Sequence, residues 1–126
     1  MKSYTDLEQS IVLSRILSPE SADMGWNVFV DDSTRCLPID DWDLSKNGEG
    51  GAKFIPCWSL AALLSVLPRF IKFKGNKYYL RFMKEYVEYA NDEISITGRC
   101  LHTTGNDNLV DACVEMTLKL HELNLL

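Results

Sequence analysis

The chain has 126 residues, of which 46% are hydrophobic and 25% charged, and its net charge is −5. A chain of this size and balance folds as one domain burying roughly two-thirds of its unfolded surface, which excludes wholesale disorder. The negative balance excludes general attraction of the whole molecule to nucleic acid or to an anionic membrane.

The opening "MKSYTDLEQS" has no apolar run after its lysine, so it does not read as a secretory signal, and a cytoplasmic location is expected. Thr5 and Glu8 have the spacing of a capping box, and Leu7, Ile11, Ser14 and Leu17 predict a helix ending near Leu17, before Pro19. Ser18 followed by Pro19 starts one further helical turn, to about Asp23. "WNVFV", Trp26 to Val30, predicts a strand from its β-branched and aromatic content. Asp31 to Lys53 reads as a long, mobile acidic loop, with a short strand at Arg35 to Leu37 and a turn at Asn47 to Gly51.

"FIPCWSLAALLSVLPRF" follows, uncharged from Phe54 to Pro68. Only eleven residues separate Pro56 from Pro68. A membrane-spanning helix needs about twenty, so this segment does not cross a bilayer. Ser59 is a good N-cap with Leu60 at the first helical position, and Trp58 and Leu63 have the spacing of a hydrophobic staple. Leu60, Leu63, Leu64 and Leu67 share one face, opposite Ala61, Ala62 and Ser65, so a central helix buried on nearly all sides is expected.

From Arg69 to Lys84 there are six basic residues and no acidic one, leaving −11 on the rest of the chain. Gly75-Asn76 is a hairpin signal between aromatic-rich runs. Tyr78 to Ala90 fits either a helix or, with better support from its aromatic content, two strands turning near Met83 to Glu85. A turn at Asn91 to Glu93 then leads to a strand from Ile94 to His102. The last helix, about Leu109 to Leu123, buries Leu109, Ala112, Cys113, Met116, Leu120 and Leu123. Asp111, Glu115 and Glu122 lie outside that stripe, Glu115 can pair with Lys119, and Asp107 and Asp111 suit the positive end of the helix dipole. The expected fold is therefore α+β: an antiparallel meander from about 69 to 102, packed against N-terminal, central and C-terminal helices in a single domain, 1–126.

Three stretches, "LSPESADMGW", "IPCWSLAALLSVLP" and "GNDNLVDACVEMTLKLHELNLL", together resemble a family of small proteins of Bacteroides-type gut bacteria, often carried in prophages and other mobile elements. The resemblance covers nearly the whole chain, least so Asp31 to Lys53. It implies an α+β domain with helices against an antiparallel sheet, and it implies no activity and no site residues.

Candidate chemistry is sparse. Cys36, Cys57, Cys100 and Cys113 have no CxxC or zinc-finger spacing and read as small apolar residues, least clearly for Cys36 in its polar loop. Cys100 and His102, two apart on an expected strand, would share a face as a thiol–imidazole pair, but no third group or oxyanion loop accompanies them. "IDDWD", Ile39 to Asp43, lacks the spacing of a calcium loop, and its Trp42 suits a partner-docking anchor. His121 fits the negative end of the last helix. As strands, the basic run would place Lys77, Tyr79 and Arg81 on one face, with Tyr78, Leu80 and Phe82 on the other.

The expectation is a non-enzymatic accessory or regulatory protein acting through protein–protein contact, without cofactor, metal or catalytic residues and without membrane association. The alternative is a nucleic-acid-binding accessory protein using Lys72, Lys74, Lys77 and Arg81, with Tyr79 as a stacking ring. The interaction patch for either comprises Lys72, Lys74, Lys77, Tyr79, Arg81 and Trp42. An enzyme ranks third, and the oligomeric state stays open.

Overall fold

The computed structural model describes residues 2–28, 34–38, 53–83, 86–90, 100–105 and 108–126. Over these residues the expected α+β class is observed, with three α-helices flanking two antiparallel sheets. The chain divides into two compact units, Ser3–Ala62 and Met1–Lys2 with Leu63–Leu126.

In the first unit, helix α1 (Leu7–Ser14) is followed by a single 3-10 turn (Pro19–Ser21) and by strands β1 (Met24–Val28), β2 (Thr34–Pro38) and β3 (Lys53–Cys57). The strands form a sheet of order β2-β1-β3, and α1 packs on β3. The capping box exists but sits one residue later than the sequence suggests: Asp6 accepts from the Gln9 N–H at 2.8 Å, and the Gln9 side chain accepts from the Asp6 N–H at 3.1 Å. Thr5 is not available as the cap. It is fully buried, its N–H donates to the Trp58 carbonyl at 2.9 Å and its Oγ1 accepts from the Trp58 N–H at 3.1 Å. The helix also stops at Ser14 rather than Leu17, and it buries Ser10 and Leu13 while Val12 is exposed. Ser18 does cap the next turn, accepting from the Glu20 N–H at 3.3 Å.

Strand β3 was not expected: the sequence places Lys53 at the end of the loop and gives no element to Phe54–Cys57, which contains Pro56. Pairing supplies what local propensity lacks: Met24 lies opposite Cys57 and Val28 opposite Lys53 along β1. Gly25 permits a close approach here, because a Cβ at that position would lie 1.9 Å from Phe54 Cε2. Asp31 to Ser33 and Ile39 to Ala52 of the expected loop lie outside the described residues, β2 contains the short strand expected at Arg35 to Leu37, and Lys53 begins β3.

Helix α2 (Leu60–Val66) begins as expected, with Ser59 Oγ accepting from the Ala62 N–H at 3.2 Å. The all-round burial anticipated for it is not observed. Ala62, Leu63 and Leu67 are buried, but Ala61 and Ser65 are exposed, so their small side chains mark a solvent face.

In the second unit, β4 (Phe70–Phe73), β5 (Asn76–Met83), β6 (Tyr86–Ala90) and β7 (Cys100–Gly105) form the expected meander in sequential order, and α3 (Leu109–Glu122) packs on β6 and β7. Two strands, not a helix, occupy 78–83 and 86–90, and Lys84 and Glu85 of the expected turn lie outside the described residues. The hairpin turn is Lys74-Gly75, one position earlier than Gly75-Asn76. Both residues have positive φ, 50° and 81°, as a type I′ turn requires. This displaces the β4–β5 register by two residues, so no side chain changes face. Residues 91–99, including the expected turn and the start of the expected strand, lie outside the described residues.

Asn108 caps α3, accepting from the Asp111 N–H at 2.8 Å, and Lys2 Nζ lies 2.7 Å from Asp111 Oδ1. Ala112, Cys113, Met116 and Leu120 are buried as expected, joined by Val110, Val114 and Thr117, while Leu109 and Leu123 are half-buried. Fully burying a side chain such as Val110, Met116 or Leu120 contributes about 1.5–3 kcal/mol, so this helix–sheet contact stabilises the unit substantially.

Candidate functional site

The β4–β5 hairpin carries five of the six residues singled out in the sequence. Cross-strand partners share a face, so the pairs Phe70–Tyr79 and Lys72–Lys77 place these four side chains together, with Arg81 continuing the row along β5. That face is exposed at Phe70, Lys72 and Lys77, half-buried at Tyr79 and Arg81, and buried where it reaches Glu88 and Ala90 on β6. The opposite face carries Ile71, Val87 and Tyr89 into the core, where Tyr89 donates to the Pro68 carbonyl at 2.6 Å.

Lys77 Nζ sits 4.0 Å from the centroid of the Phe70 ring and 5.2 Å from that of Tyr79, a cation between two aromatic faces. Lys74 Nζ lies 5.4 Å from the Phe73 ring. Lys72, Lys74 and Lys77 have no carboxylate partner among the described residues. Arg81 differs: its Nε donates to Glu88 Oε1 at 2.9 Å and its guanidinium forms an ion pair with the same carboxylate. Glu88 lies directly opposite Arg81 and only 8% of its side chain is exposed, so Arg81 serves as the counter-charge of a buried acid. Trp42 lies outside the described residues.

Phe70 was not among the residues singled out, yet it is 45% exposed and completes the patch. Its signal was the hairpin itself, because any register centred on this turn puts an even-numbered residue of β4 on the face of Lys77 and Tyr79. The arrangement presents three uncompensated ammonium groups around accessible aromatic rings. Among the described residues this chemistry suits an anion or a flat π-system.

Cys100 and His102 are both in β7, opposite Ala90 and Tyr89, but the register shifts by one residue between them. Simple alternation therefore does not give them a common face, and their side chains lie outside the described residues. Ile39 to Asp43 also lies outside them. His121 is exposed on the last turn of α3, where its position suits the dipole.

Two further features lie in the first unit. An open groove of about 240 Å³ lies beside α1 and β3, lined by Ile11, Ser14, Lys53, Phe54, Ile55 and Pro56, and the Ser14 hydroxyl donates to the Ile11 carbonyl at 2.7 Å. A buried polar cluster surrounds Thr5: its Oγ1 lies 2.7 Å from Ser10 Oγ, its carbonyl accepts from Trp26 Nε1 at 3.1 Å and from the Cys57 thiol at 3.3 Å, and Cys36 donates to Cys57 at 3.5 Å. Burial, then the neighbouring Cys57, pushes the Cys36 thiol up to about 12. Among the described residues no helix is long and apolar enough to cross a membrane. No family model matches the chain, and comparisons with curated proteins and with solved structures return no match.

Proposed function

We propose that the protein is a binding accessory protein whose recognition surface is the solvent face of the β4–β5 hairpin, and that its ligand is a single-stranded nucleic acid. The observation that carries this is Phe70, a ring 45% exposed on a sheet face beside Tyr79 and bordered by Lys72 and Lys77. A single strand offers the π-face of an unpaired base to the ring and its successive backbone phosphates to the ammonium groups, and the two kinds of contact lie at neighbouring positions on an antiparallel sheet. Arg81, engaged by Glu88, contributes little phosphate affinity. The whole-molecule charge of −5 opposes the approach of a polyanion, so binding is confined to this hairpin and is strongest at low salt.

The test is fluorescence anisotropy of labelled oligo-dT and oligo-U across a salt series. Three phosphate contacts, at Lys72, Lys74 and Lys77, give a slope of log affinity against log salt of about −2. The double variant Lys72→Glu, Lys77→Glu should abolish binding while leaving the fold intact by circular dichroism. Absence of salt-dependent binding by the wild-type protein at low ionic strength would refute the proposal.

Phe82 favours a second role, docking of a protein partner. It is 51% exposed on the opposite face of β5, where a nucleic-acid ligand of the first face does not reach it. Partners that survive nuclease treatment of a pull-down and are lost with Phe82→Ser would support this role over the first.

A further inference from the structure

We propose that Lys77 is a specificity-determining residue of the hairpin surface. Its ammonium group occupies the aromatic face on which a base stacks, so a ligand gains that face fully only if its own phosphate takes up the displaced ammonium. The inference rests on the nucleic-acid reading of this surface and names what the surface selects: phosphate-bearing strands over free nucleobases and nucleosides.

Lys77 Nζ lies over two rings at once, 4.0 Å from the centre of Phe70 and 5.2 Å from that of Tyr79. A stacked base meets a ring at about 3.5–4.0 Å, the optimal separation of carbon atoms, so base and ammonium compete for one place. Strand register sets this up. Phe70 pairs with Tyr79 and Lys72 with Lys77, so Lys77 reaches Phe70 diagonally across the ladder and Tyr79 two positions along its own strand. Only this side of the Phe70 ring brings a base within reach of both rings. The other lysines are placed differently. Lys74 lies over Phe73, on the opposite face of the hairpin, and among the described residues Lys72 lies over no ring.

No carboxylate pairs with Lys77 among the described residues, so an ammonium displaced by a bare base exchanges its rings for water alone. At an exposed site that exchange lowers affinity by a factor of about two to five. A strand carries a phosphate beside each base. The released ammonium moves onto it, and a charge-assisted hydrogen bond replaces the lost ring contact. The lysine thus covers the stacking face in the free protein and becomes a phosphate ligand in the bound one.

The experiment titrates adenosine and adenosine 5′-monophosphate into the full-length chain at low salt, followed by the ring-proton NMR signals of Phe70 and Tyr79, with oligo-dT anisotropy in parallel. The wild type should bind the monophosphate more tightly than adenosine. Lys77→Ala should bind adenosine about two- to fivefold more tightly than the wild type does. The same variant should lose oligo-dT affinity, with a salt slope shallower by about 0.7. Lys77→Arg, whose planar cation also stacks on rings, should restore the exclusion of adenosine. A purely structural role for Lys77 would move every ligand in the same direction. Failure of the wild type to bind oligo-dT overturns the nucleic-acid reading and this inference with it. With oligo-dT binding intact, an adenosine affinity unchanged in Lys77→Ala overturns this inference alone, as does equal binding of the two adenosine ligands by the wild type or a Lys77→Arg that behaves as Lys77→Ala.

Discussion

Lys77 holds its ammonium group 4.0 Å from the centre of the Phe70 ring, diagonally across the β4–β5 ladder. At a solvent-exposed site such a contact contributes about 0.5–1 kcal/mol. Phe70→Ala should therefore change stability by less than about 1 kcal/mol but weaken oligonucleotide binding roughly tenfold, the usual effect of removing one stacking ring. Phe70→Tyr should bind as the wild type does. Equal affinity of Phe70→Ala and wild type by anisotropy would remove stacking from the mechanism.

The turn beside it is a compromise in sequence. Lys74 takes φ of 50° at a position where a side chain is disfavoured, whereas Asn tolerates it and Asn-Gly is the preferred pair for this turn. Lys74→Asn should stabilise the protein by about 0.5 kcal/mol, the turn gain exceeding the weak contact between Lys74 and Phe73. The same change should reduce the salt slope of binding by about 0.7. Urea denaturation and anisotropy separate the two effects. A loss of stability would count against the turn assignment.

Thr5 is a buried junction for the first unit. Thr5→Val keeps its volume but leaves the buried Trp58 N–H without its 3.1 Å acceptor and the Ser10 hydroxyl without its 2.7 Å partner. The expected loss is about 2 kcal/mol in urea denaturation. Ser10→Ala should cost less, since the Trp58 bond survives. If the two variants are equally stable, Thr5 is not the junction described.

The protein should lose stability in mild alkali. Burial pushes the Cys113 thiol from its ordinary 9.0 up to about 11, and burial followed by the nearby Cys113 raises the Tyr89 phenol as well. Both groups stay neutral in the folded state and ionise more readily once unfolded. The Cys113 contribution is fully present below about pH 9 and is lost as the pH rises through about 11, while that of Tyr89 is lost in still stronger alkali. Tm measured across that range should fall, and Cys113→Ala should flatten the fall. A Tm unchanged up to about pH 11 would contradict the burial of these groups.

Where local chemistry decides the outcome, the sequence is legible. α3, the Ser18–Pro19 turn, the Ser59 cap and the two strands of 78–90 all follow from periodicity, caps and turn residues within a few positions. Where a distant partner decides, it is not. β3 exists because β1 pairs with it, and Thr5 yields the helix cap to Asp6 because Trp58, fifty-three residues away, takes its hydrogen bonds. The candidate site shows the same division. Alternation placed Lys77, Tyr79 and Arg81 on one face, but only the register of β5 with β6 reveals that Glu88 claims Arg81. Likewise the proximity of Cys36 to Cys57 depends on β2 and β3 flanking the same strand, which no spacing of cysteines could announce.

Phe54 occupies the space that a side chain at position 25 would need. One ring thus serves two positions of the sheet, its own and its neighbour's. Substitution at either place is then coupled to the other: a side chain at 25 becomes acceptable only when residue 54 shrinks, and a small residue at 54 leaves an empty place that 25 can fill. In any set of related chains the two positions should therefore trade volume, and a pair such as Gly25→Val with Phe54→Ala should recover stability that neither change retains alone.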